Sequence, residues 1–146
     1  MQASVIKRFD HVGIAVYNTD SALTIYRDVL GGAVTTYKQI GTTEDYLFTQ
    51  FILGSQKIEL LEPVLNKESF LTTFLAKYGE GLHHLTFQVA DIRKAQDYLT
   101  GRGMKITDEF YEDPLWKTAF ISPKSTKGVL IQLYETTPGS RYDNHP

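Results

Sequence analysis

The chain has 146 residues, a net charge of −2, 42% hydrophobic residues and no cysteine. That composition suits one globular domain; the charge offers no basic face for nucleic acid or an anionic membrane, and disulfide and thiolate chemistry are excluded. No apolar run approaches the roughly eighteen residues of a membrane span, and MQASVIKRFD lacks the apolar centre of a leader, so a cytoplasmic protein is expected.

The first element is the strand FDHVGIAVY from Phe9. Its alternation puts Val12, Ile14 and Val16 on one face and His11, Gly13 and Ala15 on the other. The helix NTDSALTIYRDVLGG follows, with Asn18 or Thr19 as cap, Ala22, Ile25, Tyr26 and Val29 as apolar stripe, and Gly31 as stop. Strands over about 46–53 and 56–62 come next; Ile58 and Leu60 share one face, Glu59 and Leu61 the other. NKESFLTTFLAKYGEG reads as a short connector helix bearing Phe70, Leu71, Phe74 and Leu75 and closed by Gly79. In GEGLHHLTFQV, Leu85, Phe87 and Val89 oppose His84, Thr86 and Gln88, which turns His83 away from His84. DIRKAQDYLTGRG is a second helix with Asp91 as cap, Ile92, Ala95, Tyr98 and Leu99 as stripe, and Gly101 or Gly103 as terminator. Strands over about 116–121 and 128–135 close the pattern, with Gln132 and Tyr134 opposite Ile131 and Leu133. The polar tail TTPGSRYDNHP, with His145, is expected to be loose and solvent-exposed.

One offset relates the two halves. It carries His11 onto His84, Val16 onto Val89 and Asn18 onto Asp91, and the same shift carries Glu59 onto Gln132. The expected architecture is therefore α+β: two tandem βαβββ modules, with the apolar strand faces packed on the helices. Module one covers about 6–64, the connector helix about 66–78 and module two about 80–137, within a single domain of residues 1–146.

The shared offset selects a polar set: His11, Glu59, His84 and Gln132, each flanked by apolar strand neighbours. A carboxylate in such a setting is costly unless paired or bound to metal. Two imidazoles, a carboxylate and an amide oxygen suit a divalent transition ion (Zn, Ni, Co, Mn or Fe) better than an all-oxygen calcium cage. Gln132 has a plainer reading as a hydrogen-bond partner behind the ligands. Gln50 and Tyr46 lie on a strand whose register alternation leaves open, and Lys124 or Lys127 in the PKSTKG turn is a candidate phosphate contact or simply a basic surface turn.

The segments DHVGIAV, IELLEPV, FLAKYGEGLHHLTFQVADI and SPKSTKGVLIQL, in that order over roughly residues 8–136, resemble the vicinal-oxygen-chelate superfamily, and most of all its methylmalonyl-CoA epimerases. The resemblance implies that the paired modules form a cup-shaped, partly open β-barrel with helices outside, around a divalent metal held by His11, Glu59, His84 and Gln132, with Glu59 also the catalytic acid–base group. It implies a small-molecule substrate, an acyl-CoA thioester in the epimerase case, isomerised through an enolate, and assembly as a homodimer. A glyoxalase I-like lyase, or a binding or resistance protein of the same fold without turnover, is the alternative. The chain departs from the epimerase pattern at Gln132, where those enzymes usually carry glutamate, and in EFYEDPLWKTAF, where Leu115 and Trp116 would reshape the substrate mouth. One carboxylate among four ligands leaves a divalent site with a formal charge of +1, a stronger Lewis acid than a neutral site.

Overall fold

The structure is a computed structural model that describes residues 4–138; the tail beyond Pro138, with His145, lies outside the described residues, whereas Thr136 and Thr137, expected to begin a loose tail, donate their hydroxyls to the carbonyls of Leu115 and Pro114. Among the described residues there are eight strands and three helices, in an α+β fold whose order is βαβββ, a connector helix, then βαβββ again. Chain contacts divide it into two compact units, one spanning His11–His83 and the other made of the N-terminal segment up to Asp10 with the chain from His84 onward. No helix among the described residues is long and apolar enough to cross a membrane.

In the unit His11–His83, β1 (Ile6–Ala15) runs parallel to β4 (Gln56–Pro63), with Gly13 opposite Glu59. β3 (Tyr46–Leu53) pairs antiparallel with β4, and β2 (Ala33–Ile40) with β3. Helix α1 (Thr19–Tyr26) covers the face bearing Ile14, Val16, Phe51 and Leu60, with Leu23 fully buried among them. Helix α2 (Phe70–Tyr78) covers part of the opposite face, setting Leu71 and Leu75 on Ala15 and Leu61.

The other unit repeats the plan. β5 (Gly81–Val89) runs parallel to β8 (Ile131–Thr136), β7 (Trp116–Ile121) pairs antiparallel with β8, and β6 (Ile106–Phe110) with β7. Helix α3 (Ile92–Gly101) buries Ile92, Ala95 and Leu99 on Val89, Ala119, Ile121 and Leu133.

The sequence caps hold: Asn18 accepts a hydrogen bond from the Ser21 amide, and Asp91 from those of Arg93 and Lys94. The stripe read for the first helix holds at Ala22 and Tyr26, which pack against the core, and fails at Ile25 and Val29. Ile25 and Val29 are 55% and 76% exposed, while Thr19 and Leu23 face the core. Thr19 and Leu23 are one turn apart; Ile25 lies about 200° round from Leu23, and Val29 falls in the turn after the helix has ended at Tyr26. Tyr98, placed on the stripe of the second helix, is likewise 36% exposed at its edge.

A pair of carboxylates obeys the same offset. The buried Glu62 on β4 accepts a hydrogen bond from the Thr19 hydroxyl at 3.0 Å, and Glu135 on β8 accepts one from the Ile92 amide at 2.8 Å. Each carboxylate thus holds the first residue of its unit's helix, where the helix dipole favours negative charge. A lysine stands by each, Lys38 at 3.7 Å and Lys117 at 3.9 Å. Glu62→Ala strands the Thr19 hydroxyl and is expected to cost about 1–3 kcal/mol, read as a lower urea midpoint with unchanged slope.

Candidate functional site

In the unit His11–His83, Glu59 points its two oxygens at different partners. Oε2 accepts a hydrogen bond from Gln50 Nε2 at 2.8 Å, and Oε1 lies 3.6 Å from His11 Nε2. The side chains of His11 and Glu59 are only 5% and 12% exposed. A separation of 3.6 Å is long for a hydrogen bond but fits two donors that each reach about 2.0–2.2 Å to one shared cation. The chemistry of this donor pair therefore fits a transition-metal ion.

Aromatic groups stand near Glu59 within this unit. Burial, and then the charge of Glu59, push the Tyr46 phenol up to about 12. The Tyr46 ring meets Phe70 edge-on at 5.3 Å, and a side chain at Gly41 would strike that ring at 2.1–2.4 Å, so only glycine admits it there. His83 packs between Phe70, at 5.5 Å, and Phe74, at 4.8 Å. Burial pulls its imidazole down to about 4, with the Glu59 charge opposing the fall, so His83 is neutral near pH 7 and adds one more ring to this group.

In the other unit, His84 is 7% exposed and its ring meets Phe120 edge-on at 6.5 Å. Gln132 is held in one orientation by a chain of hydrogen bonds. The Thr118 hydroxyl donates to the Leu133 carbonyl at 2.9 Å, so it accepts from Gln132 Nε2 at 3.0 Å. Gln132 Oε1 then takes the Thr86 hydroxyl at 3.0 Å and keeps a second lone pair. Gln132 is thus a hydrogen-bonded amide whose oxygen retains the capacity to ligate.

Tyr134, a sequence candidate for lining the cup, stacks on Trp116 at 4.6 Å and donates its hydroxyl to the buried Asp10 at 2.7 Å. Leu115 stays 47% exposed. Lys124 and Lys127 lie exposed on the turn after β7, with Lys127 in a left-handed conformation. Sequence reasoning named neither Thr118 nor Thr86 as part of the site, although Thr86 shares the alternation of His84.

Residues 8–133 match the family model of the Glyoxalase/Bleomycin resistance protein/Dioxygenase superfamily. The chain belongs to that superfamily. Within it, the chain is 34% identical over 142 residues to YqjC, an uncharacterized protein of Bacillus subtilis, with 96% of this chain and 99% of that one covered. It is 32% identical over 139 residues to the ethylmalonyl-CoA/methylmalonyl-CoA epimerase of Cereibacter sphaeroides, covering 88% and 98% of the two chains. The crystal structure of methylmalonyl-CoA epimerase from Mycobacterium tuberculosis superposes with a TM-score of 0.81 at 29% identity, covering 94% of this chain and 93% of that one. All four site candidates, His11, Glu59, His84 and Gln132, lie inside the matched region of the superfamily.

Proposed function

We propose that the protein is a divalent-metal-dependent isomerase that epimerises an acyl-CoA thioester through an enolate, as methylmalonyl-CoA epimerases do. The observation that carries the reading is the split carboxylate of Glu59, one oxygen facing His11 across 3.6 Å and the other held by Gln50. In this reading His11, Glu59 and His84 ligate the ion and the Gln132 amide oxygen completes the set. The ion supplies, when bound, positive charge against the oxygen on which negative charge collects as the α-proton leaves, worth several kcal/mol of barrier. Glu59 would hold the ion through Oε1 and accept the α-proton at Oε2; a proton taken from solvent on the opposite face of the carbon would invert it, and Glu59 would then return its own proton to solvent. Gln132 holds no titratable proton and takes no part in the transfer. The partly buried rings of Tyr46, His83 and Phe74 bring no charge of their own near neutral pH.

In heavy water, with one equivalent of divalent metal, the protein is expected to wash deuterium into the α-carbon of methylmalonyl-CoA well above a protein-free control. A fully metal-loaded protein that leaves that carbon protonated would sink the proposal. Gln132, an amide where a second acid would serve proton transfer, favours one other reading: binding of a small molecule without turnover. Saturable binding of methylmalonyl-CoA with no exchange would establish it.

A further inference from the structure

We infer that Gln50 is a positioning residue that divides the labour of the Glu59 carboxylate, holding Oε2 so that the metal meets Oε1 alone. This rests on the metal-site reading above. Three observations carry it. The Gln50 amide donates to Oε2 at 2.8 Å, a short contact of the kind an ionised acceptor makes. The other oxygen, Oε1, is the one that faces His11. The strand register makes Gln50 the direct cross-strand partner of Glu59. In the other unit the residue across from Gln132 is Phe120. The fold therefore accepts an apolar ring at that place in the ladder, and the amide at position 50 answers to the carboxylate, not to strand pairing. A neutral amide suits this role because it donates a hydrogen bond without bringing a second charge beside the ion. Held this way, Glu59 is a one-oxygen ligand whose second oxygen stays clear of the metal for proton transfer.

The test compares the full-length protein with Gln50→Met, which keeps the length of the side chain and removes the donor. Each is titrated with cobalt(II) at one fixed pH, reading affinity and the visible d–d absorption, and the melting temperature of the metal-free protein checks folding. With Oε2 released, the variant is expected to bind cobalt about 10–100-fold more weakly. Its d–d band should weaken and shift as the second carboxylate oxygen joins the ion. Gln50→His, which restores an N–H donor, should move the band back toward that of the unaltered protein. A Gln50→Met protein with unaltered affinity and spectrum overturns the inference. So does one that loses affinity with the spectrum unchanged, because that is a purely structural effect. If Gln50→Met does not fold, Gln50→Leu is read in the same way. Failure of the unaltered protein to bind cobalt at all would instead overturn the proposed function.

Discussion

Glu59→Gln is expected to lower α-proton exchange by about 10²–10⁴-fold while leaving the fold unchanged. The change is nearly isosteric at a half-buried side chain, so packing is kept. What goes is the acid–base group among the four candidate ligands, and with it the negative charge at the ion. The hydrogen bond with Gln50 survives in altered form, because the new amide still presents an oxygen to Nε2. Proton exchange followed by NMR, beside metal content per chain, checks this directly. An exchange rate within a few-fold of the unaltered protein at equal metal loading would remove Glu59 from the mechanism.

Phe51→Ala is expected to cost about 3–5 kcal/mol of stability. Phe51 is fully buried, packs with Ile14, Val16, Leu23 and Leu60 under α1, and meets the Tyr26 ring at 5.4 Å. The sheet backbone does not close over the volume it leaves, because α1, β1 and β4 pin the surrounding side chains. Urea unfolding should show a lower midpoint at constant slope. A loss under about 1 kcal/mol would mean that the neighbours collapse into the space, contrary to the packing described. Phe51 follows Gln50 on β3 and points to the other face, so a loosened core also loosens the hold on Glu59.

The long strands and the caps were legible because each rests on local chemistry. Alternation along β1, β4, β5 and β8 separated the helix-packing face from the polar face, and the internal offset then chose His11, Glu59, His84 and Gln132 from among many polar residues. β2 and β6 were harder to bound. Both break their ladders with register shifts, and each carries a left-handed residue, Lys38 or Asp108, that interrupts period two. The missed pairing of Gln50 with Glu59 had a signal. Gly54 and Ser55 form a two-residue turn between β3 and β4, which sets Leu53 opposite Gln56 and, counting back along both strands, Gln50 opposite Glu59. Thr118 had none, since its role depends on which way its hydroxyl points. On the first helix Ile25 and Val29 depart from the expected stripe, because an apolar residue at helical spacing is not obliged to face inward.

The carboxylates that grip the two helices carry an implication for how such a protein diversifies. Glu62 and Glu135 are the same residue at matching places, whereas Glu59 and Gln132, three positions earlier on the same two strands, have parted company. Three steps along a strand change the side of the sheet, so the helix anchor and the candidate ligand stand on opposite surfaces of one segment. A descendant gene can exchange acid for amide on the candidate-site surface while the tether beneath goes untouched, so that surface can vary without wagering the scaffold on it.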